Sequence, residues 1–170
     1  MSDAAAVLVD VRSPLWVRAM GDPGAVCRSA ALAALDVAGS KGGEVSIVLA
    51  DDDFIRTLNR EHRGKDSATN VLAFPLDGGS SSSDGDGGPH LLGDIVVAYE
   101  ITAREAAAHG RPVSNRLSHL VAHAALHLIG YRHDDAVEAE AMERLEAEAL
   151  AKLGIGDPYA ELPVSAGAGV

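Results

Sequence analysis

The segment His123-Ala-Ala-Leu-His127-Leu-Ile-Gly130-Tyr-Arg-His133 constrains this chain more than any other. Residues four apart on a helix stand one above the other, so His123 and His127 project from one face with imidazoles close enough to share an ion. Gly130 suits the left-handed conformation that ends a helix, and a turn there carries His133 back toward the same point. Histidine binds zinc through nitrogen at about 2.0–2.1 Å, and three protein ligands leave one coordination position open. A metal with an open position can activate water or polarise a substrate oxygen. Purely structural zinc sites use four protein ligands, often cysteines, and no cysteine lies near this segment. The spacing therefore predicts one Zn²⁺ per chain, held by His123, His127 and His133. His119, one turn before His123, lies on roughly the same face and reads as a residue that supports the ligands or simply packs.

The order His-x-x-x-His-x-x-Gly-x-x-His is shared with metzincin proteases, which carry Glu directly after the first His as general base. Here that position is Ala124. A protease of that design lacks its proton acceptor, while the metal cage survives.

Two further blocks precede the histidines: Asn59-Arg-Glu-His-Arg63-Gly-Lys65-Asp66-Ser-Ala-Thr69-Asn70-Val-Leu-Ala-Phe74-Pro75, then Leu92-Gly93-Asp94-Ile95. With these three blocks in this order, the chain resembles the YbeY family of bacterial rRNA-maturation metalloendoribonucleases. The likeness spans roughly residues 44–160 and includes the trailing Gly156-Asp157-Pro158-Tyr159. Two positions depart from the family pattern: Ala124 stands where Gly is usual, and Arg132 where Asp is usual. Neither removes a ligand, but Arg132 exchanges a carboxylate beside the metal for a cation.

The resemblance implies a zinc-dependent endoribonuclease, specific for single strands, that acts in maturation of the 3′ end of small-subunit (16S) rRNA and in ribosome quality control. Its implied partners are single-stranded rRNA, the ribosome and small-subunit assembly factors, with no role for DNA. It also implies that Arg63 is the catalytic residue. A guanidinium offers phosphate oxygens a bidentate fork and suits the crowded, more negative phosphorane transition state. Arg60, Lys65 and Asn70 are further candidates for RNA contact, although Asn70 serves equally well as a turn or strand-start residue, and Arg63 itself could instead pair with Asp66. Two alternatives stand beside this reading: a metalloprotease lacking the usual Glu, and a non-catalytic ribosome-assembly factor in which the metal is only structural.

The net charge of −11 argues against a polyanionic substrate until its distribution is considered. Asp134 to Glu148 holds seven acidic residues and one Arg, a net of −6, and reads as the solvated face of a late helix. Arg56, Arg60 and Arg63 recur at helical spacing with Lys65 just beyond; taken alone, such a row is a solvated face too. With six aromatic residues in the chain, a base-stacking platform is not expected. The lone Cys27 excludes an internal disulfide and reads as a small buried hydrophobe. No basic-then-apolar leader and no stretch near 18 apolar residues is present, so a cytoplasmic protein without membrane contact is expected.

Strands are expected at Val7–Val11, Glu44–Leu49, Asn70–Phe74 and Leu92–Tyr99. Helices are expected from Asp22-Pro23 to Gly39, from the Asp51-Asp52-Asp53 run to about Asn59, and over Ile101–His109, Pro112–Ile129 and Asp135–Leu153. Residues 77–90, rich in Gly, Ser and Asp, read as a low-complexity insertion, and 161–170 as a flexible tail on a single domain over 1–160. The pattern gives an α+β fold: a small mixed sheet with surrounding helices and, from the resemblance, a zincin-like metal cleft.

Overall fold

The computed structural model describes residues 5–40, 42–76 and 91–159. The expected insertion at 77–90 and tail at 161–170 lie outside them. Among the described residues there are four strands, β1 (Ala6–Val11), β2 (Glu44–Ala50), β3 (Val71–Pro75) and β4 (Leu91–Ala98). The six helices are α1 (Pro14–Met20), α2 (Pro23–Val37), α3 (Asp52–Arg63), α4 (Tyr99–Ala108), α5 (Val113–Leu128) and α6 (Ala136–Lys152). The sheet order is β1-β2-β4-β3, with β1, β2 and β4 parallel and β3 antiparallel to β4. This is the expected mixed sheet with helices around it. None of these helices is long and apolar enough to cross a membrane.

β4 is central, and its run Ile95-Val96-Val97-Ala98 is buried on both faces, which is why it lacks polar alternation. Ile95 and Val97 join Val45, Ile47 and Leu49 of β2 in the main core with α2 and α5. Val96, Ala98 and Leu72 face the other way, onto Ile55 of α3. The helices over the main face meet through small residues, Ala30, Ala31 and Ala34 on α2 with Ala122 and Ala125 on α5. The apolar set of α5, Leu117, Leu120, Val121, Ala124 and Leu128, is buried throughout.

Several boundaries differ from expectation, each for a local reason. α1 was not anticipated, although Ser13 caps it through the Leu15 amide and Pro14 opens it. Its Trp16 is fully buried and donates its indole N–H to the Ala50 carbonyl at 3.0 Å. α3 continues past Asn59 to Arg63, because the closing bonds from the Gly64 and Lys65 amides run to the Arg60 and Asn59 carbonyls. α4 begins at Tyr99, which was expected to end a strand. Asp52 accepts from the Ile101 amide while Glu100 accepts from the Asp52 amide, so the two helix starts cap each other.

One glycine decides how the site-bearing helix sits on the sheet. The register of β2 on β4 slips by one residue between Glu44 and Val45, a bulge that places Gly93 at φ +147°. A Cβ on Gly93 would overlap the Phe74 carbonyl oxygen and lie 2.8 Å from Leu128 Cδ2 of α5. Gly93→Ala is expected to destabilise the fold by about 2–4 kcal/mol through overpacking and backbone strain. Thermal melting checks this: a loss of roughly 5–15 °C is expected, and an unchanged Tm would show that α5 can retreat freely. Cys27 is fully buried, and burial pushes its thiol up to about 12, outweighing Arg28. It therefore stays a neutral thiol through the ordinary alkaline range, and a thiol reagent at pH 8–9 should label it only after denaturation.

Candidate metal centre and its cleft

α5 presents two faces. Its apolar side is embedded in the core, while His123 and His127, one turn apart, emerge half-buried on the other side. Past the helix the Gly130 amide bonds the His127 carbonyl and the Tyr131 amide bonds the Leu126 carbonyl, with Gly130 at φ +106°. That reversal brings His133 back. One ring nitrogen from each of His123, His127 and His133 falls within 4.8 Å of the others, a group that could hold a metal ion. The ring of His133 lies 5.5 Å from that of His123 and 5.1 Å from that of His127.

The hydrogen bonds around the rings define where their protons are. His127 Nδ1 stands 2.9 Å from the Tyr131 carbonyl, which can only accept, so Nδ1 carries the proton and Nε2 keeps its lone pair. His123 Nδ1 stands 2.6 Å from Glu146 Oε2, which again assigns the proton to Nδ1. The two Nε2 atoms then face each other at 3.1 Å. Two lone pairs at that distance repel unless a cation or a proton lies between them. Both can make a zinc bond of about 2.0–2.1 Å to one point, so the donor set fits a divalent metal. Burial, then the nearby His123, holds His127 below the usual imidazole range despite its bond to Tyr131, favouring the neutral, ligating form.

Glu146 of α6 is the residue that sequence reasoning missed. It was counted with the solvated acidic face, and that is corrected here: Glu138, Glu140, Glu143 and Glu148 are exposed, whereas the side chain of Glu146 is 1% exposed. The signal was available. Glu146 falls on the stripe of Met142, Ala149 and Leu150, all buried, where a carboxylate has no place unless it has partners. Its Oε1 takes His119 Nε2 at 2.8 Å and the Tyr159 hydroxyl at 2.5 Å. Burial pushes its pKa up, but the bonds from His119 and His123 outweigh that and hold it at about 2. Burial together with Glu146 raises the Tyr159 phenol. His119 lies outside the three-histidine group.

An open cleft of about 470 Å³ runs along the centre, with Arg63, Asn70 and β3 on one wall and His123, His127, Arg132 and His133 on the other. Arg63 makes no ion pair among the described residues. Asp66 is instead engaged by Arg56, at 2.8 and 3.2 Å, with Arg60 at 3.6 Å. The row of arginines is thus split, with Arg63 alone reaching the cleft. Arg60 and Lys65 do not line it. Asn70 does, but its amide nitrogen donates to Glu105 at 3.1 and 3.3 Å. Ala124 is buried at the cleft floor and provides no proton acceptor there.

Comparison with known proteins gives the family of the chain. A model of the family Endoribonuclease YbeY matches residues 26–154. Endoribonuclease YbeY of Paramagnetospirillum magneticum is 46% identical over 157 residues, covering 91% of this chain and 96% of its own. That of Methylocella silvestris is 44% identical over 156 residues, covering 90% and 85%, and that of Rhizorhabdus wittichii is 52% identical over 123 residues, covering 69% and 71%. The solution structure of TM1509 from Thermotoga maritima shares the fold, with a TM-score of 0.53 at 21% identity over 92% of this chain and 99% of that one. With the family match spanning β2, β3, β4, the arginine helix and all of α5 and α6, the chain belongs to the Endoribonuclease YbeY family.

Proposed function

We propose that this chain is a zinc-dependent endoribonuclease that cuts single-stranded ribosomal RNA. The observation that carries the reading is the pair of Nε2 lone pairs 3.1 Å apart in a cleft that also holds Arg63, which has no ion pair among the described residues. His123, His127 and His133 would hold one Zn²⁺. When bound, the metal supplies Lewis acidity that polarises a phosphoryl oxygen and makes a nucleophile available near neutral pH. The work of the chain's own groups is positional and electrostatic. Arg63, at the end of α3 and uncommitted to Asp66, presents its fork to the non-bridging oxygens of the scissile phosphate, where negative charge grows in the transition state. Arg132 adds a second cation on the opposite wall. Asn70, its amide nitrogen held by Glu105, leaves its carbonyl oxygen as an acceptor for a ribose hydroxyl or base edge. Arg60 and Lys65, outside the cleft, attract flanking phosphates.

In the cell this activity would serve 3′-end maturation of 16S rRNA and ribosome quality control in the cytoplasm, with the ribosome and small-subunit assembly factors as partners. Support comes from the names of the relatives, each an endoribonuclease. The protease alternative has no observation in its favour.

Replacing any one of His123, His127 or His133 by Ala should lower zinc stoichiometry and Tm together, because metal affinity for the folded site is linked to folding. His119→Gln should retain one zinc at saturating metal. Metal analysis alongside melting curves tests this; a protein with no stoichiometric metal would overturn the site. RNA cleavage should stop with chelator and return with added zinc, and metal binding without cleavage would favour the non-catalytic assembly factor.

Arg63→Ala should keep metal content and Tm while cutting RNA turnover by roughly 10² to 10³, the usual loss for one preorganised transition-state donor. Arg63→Lys should recover little of it, because one ammonium does not reproduce the fork. Single-turnover cleavage of a defined RNA, normalised to folded protein, measures both. Undiminished turnover in Arg63→Ala would remove it from the mechanism.

A further inference from the structure

The proton positions around Glu146 can be followed one step further. Arg116 Nη1 approaches His119 Nδ1 at 3.1 Å, and a guanidinium nitrogen can only donate. His119 Nδ1 is therefore the acceptor, and Nε2 carries the proton it gives to Glu146 Oε1. Arg116 is fixed in turn by Glu105, at 2.9 Å from Nε and 2.8 Å from Nη2. His119 is thus a neutral Nε2–H imidazole. The Tyr159 hydroxyl gives Oε1 its second donor, leaving Oε2 to His123 Nδ1. Tyr159 is itself placed by a turn in which its amide bonds Asp157 Oδ1 at 2.8 Å. The trailing Gly156-Asp157-Pro158-Tyr159 block, which the cleft does not use, closes on the same carboxylate.

We infer that Glu146 is a positioning residue for the metal ligand His123: it keeps the proton on Nδ1, and so the lone pair on the metal-facing Nε2, with His119 and Tyr159 saturating its other oxygen. This rests on the three-histidine metal reading. A carboxylate hydrogen-bonded to the far nitrogen of a ligating imidazole fixes its orientation and raises its basicity. It is also harder to replace by an amide of the same size than volume suggests. A glutamine at this position offers one acceptor and one N–H₂ group. Turned with nitrogen toward His123, it makes Nδ1 an acceptor and drives the proton onto Nε2, where it blocks the metal. Turned the other way, it sets a donor against the Nε2–H of His119.

The test uses the whole protein with Zn²⁺ alone as ligand. Competition against a chromophoric chelator should show Glu146→Gln binding zinc about 10–100-fold more weakly than wild type. Long-range ¹H–¹⁵N spectra of the metal-free proteins at about pH 8, above the usual imidazole pKa of about 6.5, should show His123 as the Nδ1–H tautomer in wild type. In Glu146→Gln the population should move toward Nε2–H. A merely structural carboxylate would lower Tm and move neither the affinity of the folded fraction nor the tautomer. Wild-type affinity in Glu146→Gln, or an Nε2–H tautomer of His123 in the metal-free wild type, would overturn the inference alone; the latter needs no variant to fold. A wild type that takes up no zinc would instead sink the metal reading, and this inference with it.

Discussion

The seating of α5 on the sheet is the contact on which the rest of the molecule depends. Leu128, the last residue of the helix, occupies the space that Gly93 leaves empty, at a bulge where β4 also pairs with Pro75 of β3. The contact fixes two distances together: how close the histidine-bearing helix lies to the sheet, and how far β3, the opposite wall of the cleft, stands from it. Packed interiors do not deform continuously, so a shift of α5 would carry both imidazoles away from Arg63 and Asn70. The apolar side of α5 therefore has a functional consequence although none of its residues touches the cleft except Ala124. Core packing here is the means by which ligand spacing is held constant.

The opposite wall is held by different forces. α3 reaches the cleft only at its last residue, and its other end is tied to α4 by reciprocal capping between Asp52 and Glu100. Near its end, Asp66 gathers Arg56 and Arg60 on the exposed side. These pairs are more than half exposed and contribute little stability individually. Their effect is one of selection. By occupying Asp66, Arg56 and Arg60 leave Arg63 without an ion pair among the described residues, and a free guanidinium is the form an anionic substrate needs.

What was legible in the sequence follows from how local each determinant is. The histidine triple could be read because a helical turn and a glycine reversal are encoded within eleven consecutive residues. The strand order could not, since β1 and β2 are joined in parallel only through two intervening helices. Glu146 pairs with a residue 23 positions away, so no spacing rule reveals it. The apolar stripe around it did carry the clue, but as one of seven acids in its segment it looked like part of a solvated face. Arg63 was singled out by resemblance, whereas its distinction from Arg56 and Arg60 depends on where Asp66 falls after the Gly64 turn, a tertiary fact. α1 was the opposite case: Ser13-Pro14 is a local start signal, obscured by the brevity of a seven-residue helix whose only buried anchor is Trp16.

An acidic protein handling a polyanion presents a problem of range. The exposed glutamates of α6 and the net charge of −11 oppose RNA at long distance, but that repulsion is screened beyond about 8–10 Å at physiological ionic strength. Inside the cleft the sign reverses, because Arg63 and Arg132 both line it while its one carboxylate among the described residues, Asp134, is paired to Arg132 at 3.8 Å. Glu146 belongs to neither account: its charge is buried and matched by His119, His123 and Tyr159 rather than displayed. Removing it from the acidic face leaves the surface less negative than composition suggests. Arg132 on the cleft wall shifts the cleft further toward cation. In the proposed function, the enzyme therefore meets its substrate with weak, screened repulsion at a distance and local recognition inside the cleft, which favours a short single strand that can enter the cleft over a long duplex lying across the acidic surface.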